Sequence, residues 1–368
     1  MDMMKSARLH EVGGELKIDE INIPSIGEKD VLIKVKSCNL VPNLKNVMHS
    51  YPTWFPFLPL PKLPAIYGLD AAGVIEAVGD KVHGLKVGDK VYVNPGRSCG
   101  SCFFCRSQQP INCKSFTFQG YFGFGPGSQK IFDDYPYGGL SEFMTAPADG
   151  VVRLGEKITF DEACRFGYIG TAYSALKKAN VTSGTTVLIT GATGTLGLGA
   201  VLCALGMGAT KILAVARNVD LLDKLKAIDP ERIETLSYGS KNMIEWVNEN
   251  TEYLGADVYL DTLGPGSPKE VTLDGLNSLR RGGSMVSIGG MDEDLPVPMF
   301  NIMTQQKNIL SSLWFTVTEG EEMARMAEAG TLDLSVLEHQ KYSLEQVNEA
   351  LTLIDNRTGG FTNVVINL

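Results

Sequence analysis

The rhythm of apolar and polar positions changes about 150 residues into the chain. Before that point the apolar runs are short and strand-like: Val31-Leu-Ile-Lys-Val35, Ala72-Gly-Val-Ile-Glu-Ala-Val78 and Lys90-Val-Tyr-Val93. Gly-Asp and Pro turns separate them, a pattern that predicts a barrel-like β domain. After Gly139-Leu-Ser-Glu-Phe143 helical stretches alternate with strands. Ile169 to Ala179 and Asp220 to Ile228 read as helices, and Val187 to Thr190, Lys211 to Ala216, Ala256 to Leu260 and Ser284 to Ile288 read as strands. That alternation predicts a doubly wound parallel sheet, so the fold class is α/β with a β-rich first domain. The tail opens on a capping box, Ser343-x-x-Gln346, and presents Leu344, Val347, Leu351 and Ile354 on one helix face. It is expected to stop at Gly359-Gly360 and to finish as a strand, Asn363 to Ile366.

Within the second pattern one stretch carries chemistry. The strand Val187 to Thr190 meets the spacing Gly191-x-x-Gly194-x-x-Gly197 and then an Ala- and Leu-rich run of helical length. Glycine lets the backbone turn sharply and lets a diphosphate approach it, and the helix N-terminus offers free N–H groups. Thr190, Gly191, Gly194, Thr195, Leu196 and Gly197 are therefore the candidate phosphate cradle, while a βα turn without a ligand is the plain alternative. Thr262, Gly264, Gly266, Gly289 and Gly290 fall where later strands end, the edge at which such sheets bind ligands. From Asn180 to Thr210 no residue is charged, yet the six glycines between Gly191 and Gly208 argue for a buried βα unit and against a membrane span.

Composition narrows the classes. A chain of 368 residues has room for about two or three domains. Its net charge of −9 and lack of Lys/Arg blocks exclude nucleic acid and anionic membranes as expected partners, leaving a small molecule. The start, MDMMKSARLHEVGG, has no apolar run of a secretory signal, and seven cysteines, an odd number, read as cytoplasmic thiols. Four of them, Cys99, Cys102, Cys105 and Cys113, have the spacing to close a tetrahedron around one Zn²⁺, and four sulfurs leave no open position, so the metal would be structural. The segment that follows carries Phe116, Phe118, Tyr121, Phe122, Phe124, Phe132, Tyr135 and Tyr137 among glycines; it reads as a loop that either walls a pocket or packs under the metal lobe.

With these features in this order, the whole chain resembles the medium-chain dehydrogenase/reductase superfamily, the zinc-type alcohol dehydrogenases. The resemblance implies a GroES-like catalytic domain from both chain ends (residues 1–170 and 317–368, with the zinc lobe at 95–115) and a Rossmann domain between them (171–316). It also implies NAD(P) and a homodimer or homotetramer. The positions matching that family's catalytic-zinc ligands hold Val41, Leu69 with Asp70, and Gly167, so no catalytic zinc is expected. Gly68-Leu-Asp70-Ala-Ala-Gly73-Val-Ile instead looks like the zinc-free quinone and enoyl reductase branch, which also carries an asparagine where Asn43 stands; Asn46 replaces the relay histidine.

At the end of the second strand, Ala216-Arg217-Asn218 stands where NAD-specific members keep an Asp, and a guanidinium there suits a 2′-phosphate, so NADPH is expected. Hydride transfer to an activated acceptor, an α,β-unsaturated carbonyl or related compound, is the reading that follows, with Tyr51 the first candidate donor and His49, Asn43, Trp54 and Tyr168 near it. The Pro-rich run from Pro52 to Pro61 suggests a bulky, apolar substrate or a subunit contact. Alcohol oxidation or carbonyl reduction, and a silent NADPH-binding protein, are the alternatives.

Overall fold

The computed structural model describes residues 2–291, 293–356 and 359–368. Six parallel strands form the sheet of the second half: Thr186–Thr190, Lys211–Ala216, Ile233–Ser237, Ala256–Asp261, Leu279–Ser287 and Asn308–Ser311. Across the sheet their order is third, second, first, fourth, fifth, sixth. The chain reverses direction of growth beside the first strand, and that reversal opens a crevice at the strands' carboxyl ends. Val187, Leu188 and Ile189 are all fully buried, because helices cover both faces; this is why the run reads as unbroken apolar sequence. Leu279–Ser287 starts earlier than the expected Ser284, since Leu279 pairs with Ala256 ahead of a bulge.

The first half is β-rich as its pattern predicts. Asp30–Asn39 lies at the centre of a second sheet and pairs antiparallel with Asp70–Val78, Phe143–Pro147 and the last strand of the chain, Thr362–Asn367. Lys90–Val93 and Val151–Arg153 extend one side, and Glu338–Ser343 extends the other. Both chain ends therefore share one sheet. A buried amide pair locks them: Asn39 Nδ2 donates to Asn363 Oδ1 at 2.6 Å, and Asn363 Nδ2 donates to the Asp161 carbonyl at 2.7 Å.

Three local expectations need adjusting. The helix expected from Ile169 runs Phe166–Lys178, so the boundary placed between residues 170 and 171 falls inside it. It packs on the helix Thr195–Gly206, where Gly199 lets the backbones approach: a Cβ there would lie 3.1 Å from Ile169 Cα. The tail helix is Val347–Ile354 behind a 3₁₀ turn, and it ends short of Gly359-Gly360; the four apolar residues named for its face are all buried. The aromatic segment is only partly loop. Thr117–Phe118 pairs with Gly96–Arg97, and Ser128–Asp134 is helical. Phe116, Phe118, Tyr121 and Phe132 are buried, and Phe118 meets Trp314 edge-on at 4.6 Å, so most of these rings pack the lobe. Phe122 differs: it faces Tyr51 at 5.4 Å. Among the described residues no helix is long and apolar enough to cross a membrane.

Candidate functional site

The glycine turn has the form its spacing predicts, but each glycine has its own reason. Gly191 adopts φ +73°, a left-handed conformation that only glycine takes without strain. Gly197 lets the helix approach the strand, for a Cβ there would lie 2.1 Å from the Gly191 carbonyl oxygen. At Gly194 the space is open apart from that same oxygen at 3.2 Å. Gly194 is the N-cap of Thr195–Gly206 and supplies no side-chain cap, so the N–H groups of Thr195, Leu196 and Gly197 remain available to an anion.

Other residues expected at the cofactor have prior commitments. Thr190 Oγ1 lies 2.9 Å from Tyr259 Oη, and Thr262 Oγ1 donates to the Thr190 carbonyl at 2.7 Å. Asn218 caps the helix Val219–Lys226 by accepting from the Leu221 N–H. Gly289 holds two loops together, since a Cβ would lie 2.0 Å from the Leu263 carbonyl oxygen, whereas the space at Gly264 is open. Ala216 is buried at the end of its strand, and Arg217 beyond it is exposed with no side-chain partner among the described residues. A cradle without side chains, a helix N-terminus and a free guanidinium beyond the second strand fit a phosphorylated dinucleotide.

The four lobe cysteines converge as their spacing predicts. Their Sγ atoms lie within 4.8 Å of one another, with Cys102–Cys105 at 3.5 Å and Cys99–Cys105 at 3.9 Å. A zinc tetrahedron with Zn–S bonds of about 2.3 Å has edges of about 3.8 Å, so the donor set fits. The Ser115 N–H donates to Cys113 Sγ at 3.4 Å, an outer contact that orients the thiolate.

At the positions matching the family's second metal the donors do not fit. Val41 and Leu69 are buried and offer no ligand atom. Gly167 has no side chain, and the Asp70 carboxylate fills the space: a Cβ on Gly167 would lie 2.2 Å from Asp70 Oδ1 and 2.4 Å from Oδ2. Asp70 Oδ1 accepts from the Tyr92 hydroxyl at 2.6 Å, and Oδ2 has no hydrogen-bond partner. Cys38 is packed between Gly68 and Gly139, and burial pushes its thiol well above the ordinary range. Among the described residues, the lobe cysteines are the only group of three or more His, Cys, Asp or Glu poised for a metal. Burial also pushes Asp70 up to about 7, although the Tyr92 bond and the nearby Arg165 charge pull it down.

The candidate donor comes from a separate stretch of the chain. Tyr51 opens a one-turn helix, Tyr51–Trp54, which directly follows Leu44–His49. Asn43 Nδ2 donates to Tyr51 Oη at 2.8 Å, while Asn46 Nδ2 donates to Asn43 Oδ1 at 3.0 Å and so holds the amide with its N–H groups toward the phenol. The tyrosine oxygen is thereby an acceptor, and its own O–H finds no acceptor among the described residues. Burial raises the Tyr51 pKa and the Asn43 bond offsets part of that, so the phenol stays protonated at neutral pH. Tyr168 and Tyr121 lie close enough to feel one another, Tyr51 and Asp70. His49 is not in this group: its ring contacts the Gly14 carbonyl at 3.2 Å, toward the N-terminal hairpin. Trp54 is largely exposed at the rim with Phe57. Arg165 and the Asp70–Gly167 contact escaped the sequence reading, for nothing in an isolated Arg before Phe-Gly-Tyr marks it as buried.

Known proteins share this architecture. Residues 27–156 match the alcohol dehydrogenase GroES-like domain, and residues 195–329 match the zinc-binding dehydrogenase domain. An alcohol dehydrogenase of Geobacillus stearothermophilus is 30% identical over 349 residues, covering 94% of each chain. An L-idonate 5-dehydrogenase of Vitis vinifera is 27% identical over 357 residues, covering 96% of this chain and 92% of its own. Among solved structures, the protein AibC superimposes with a TM-score of 0.85 at 26% identity, covering 99% of this chain and 96% of that one.

The buried carboxyl sets a pH dependence. Its folded value, about 7, exceeds the ordinary 3.8, so the folded state keeps the proton longer than the unfolded one. Its contribution is full below pH about 4, is lost at up to about 1.4 kcal/mol per pH unit on the way to about 7, and is flat above. Asp70→Asn keeps an acceptor for Tyr92 and removes the titration. Its stability in urea unfolding should therefore gain on the wild type between pH 4 and 7; parallel curves would rule this account out.

Proposed function

The chain belongs to the zinc-type medium-chain dehydrogenase/reductase superfamily and is an oxidoreductase, and from that premise we propose that it reduces an activated acceptor with NADPH, without a catalytic zinc. The acceptor class is an α,β-unsaturated carbonyl or a related C=C or C=O compound. The observation that carries this reading is the Tyr51 O–H, a donor with no internal acceptor, aimed by Asn43 and Asn46 beside a space whose metal-ligand positions hold Val41, Leu69 and Gly167.

A nicotinamide cofactor supplies a hydride when bound, and the chain's own residues do the rest. The backbone at residues 191–197 holds the diphosphate. Tyr51 donates its hydrogen bond to the substrate oxygen on which negative charge collects, and a neutral phenol does this without placing a charge beside the substrate. An acceptor that is already electrophilic needs no Lewis acid, only that donor. Phe55 and Phe57 form an apolar rim with Tyr51 and Phe122, which suits a bulky apolar substrate. The printed names of the relatives favour a second reading, ketone reduction or alcohol oxidation, in which Tyr51 would face the same oxygen.

The remaining parts of the proposal have their own supports. One structural zinc per chain rests on the cysteine tetrahedron. A cytoplasmic, reducing compartment rests on seven unpaired cysteines. Homodimerisation rests on the edge strand Asn308–Ser311 and on the exposed Met299, Phe300 and Met303 of the helix that precedes it.

Five measurements test the proposal. Purified protein should carry one zinc per chain, oxidise NADPH steadily with an enone, and lose about 10²-fold or more in kcat as Tyr51→Phe with little change in the KM for NADPH. Two zincs, or activity abolished by mild chelation while the fold persists, would overturn the zinc-free mechanism; no turnover with any enone but turnover of ketones would favour the second reading. Arg217→Asp should weaken NADPH binding far more than NADH binding, and equal losses would refute the phosphate contact. Sedimentation equilibrium should give twice the 39.9 kDa chain mass, falling to one chain when Phe300 is changed to Lys.

A further inference from the structure

The cofactor turn is gripped by a part of the chain that lies far from it in sequence. Gly360 donates its N–H to the Thr193 carbonyl at 2.7 Å. Its α-carbon sits so close to the turn that a Cβ would lie 2.3 Å from the Gly194 carbonyl oxygen and 2.8 Å from Leu198 Cβ. Gly359 does the same one residue earlier, at φ +94°, against Leu221 of the following helix. The Gly194 oxygen is the one that accepts the Leu198 N–H at 2.8 Å and so begins the helix Thr195–Gly206. Whatever fixes that oxygen also fixes the direction of the helix's first N–H groups.

On its far side the same segment is held by a buried cation. Arg165, 2% exposed, donates from Nη2 to the Gly360 carbonyl at 2.8 Å and from Nη1 to the Thr362 carbonyl at 3.4 Å. Both acceptors are neutral, and no carboxylate lies within ion-pair distance of this guanidinium among the described residues. Burying an unpaired charge to tie down two carbonyls is costly, so the position of that segment is held at the expense of stability elsewhere. Thr362 begins the last strand, which is anchored in the barrel sheet.

We propose that Gly359, Gly360 and Arg165 form a clamp that positions the dinucleotide turn: Arg165 is a positioning residue for cofactor binding, acting through Gly360 on Gly194 and the first turn of the helix. The inference rests on the reading that a dinucleotide binds at residues 191–197, and it is independent of what the acceptor is. An anion at the helix N-terminus and the strap at the Gly194 carbonyl then stabilise one and the same arrangement, so each should tighten the other.

Three readouts test the clamp on the full chain. In the wild type, NADPH should slow amide hydrogen exchange at residues 359–362 as well as at 191–198, while leaving 338–343 unchanged. In fluorescence titration, Gly360→Ala should weaken NADPH binding by about tenfold or more, and Arg165→Gln should do likewise with partial recovery in Arg165→Lys. In turnover, the KM for NADPH should rise with the KM for the acceptor unmoved. Protection at 191–198 without protection at 359–362, or a Gly360→Ala protein that folds and binds NADPH as tightly as the wild type, would overturn the clamp and leave the proposed function standing. Failure of the wild type to bind NADPH or NADH at all would overturn both.

Discussion

Backbone resting directly on backbone around residues 191–197 is the constraint on which the rest of this molecule depends. Three separate elements close on that turn, two of them nearer than any side chain would allow. The helix presses Gly197 against the Gly191 carbonyl, the Thr262 hydroxyl closes on the Thr190 carbonyl, and Gly360 lies on the Gly194 carbonyl. Such contacts have little tolerance, because interiors are close-packed and a single added methyl forces a shift. What results is a surface of peptide groups held rigid before any ligand arrives, the condition under which hydrogen bonds to a charged group cost least.

The second half of the site is built from the opposite material, side chains packed on one another. Asp70 occupies the volume that Gly167 leaves, Tyr92 satisfies one of its oxygens, and Arg165 lies near enough to temper its charge. Arg165 donates to the Gly360 and Thr362 carbonyls, and the neutral Tyr51 phenol accepts from the Asn43 amide.

How much of this was legible in the sequence depended on whether the governing physics is local. Buried parallel strands show as unbroken apolar runs, so Val187 to Thr190 and Lys211 to Ala216 could be placed to within a residue. The cysteine spacing encodes its own geometry, and the converging sulfurs repeat it. Long-range partnerships left no such trace. Nothing in Gly-Leu-Asp shows that Asp70 will fill the space at Gly167, nothing around His49 shows that its ring will turn to Gly14, and Gly359-Gly360, which looks like a helix stop, is spent on a turn in another part of the chain. Thr190 and Asn218 stand at positions that suit ligand contacts, yet their side chains answer to nearer needs, a neighbouring phenol and an uncapped helix.

The antiparallel pairing of Thr362–Asn367 with Asp30–Asn39 has a consequence for the order of assembly. A nascent chain emerges amino-terminus first, so the barrel strands up to Glu338–Ser343 and all six strands of the parallel sheet leave the ribosome before the segment that closes on the turn. The central strand Asp30–Asn39 must wait for its last neighbour with Ser37–Asn39 unpaired on the edge whose other end already holds Phe143–Pro147, and the turn at residues 191–197 must wait for its third support. Completion of both falls on residues 359–368, so loss of the strand Thr362–Asn367 would leave an exposed sheet edge and an unfinished cradle in the same molecule.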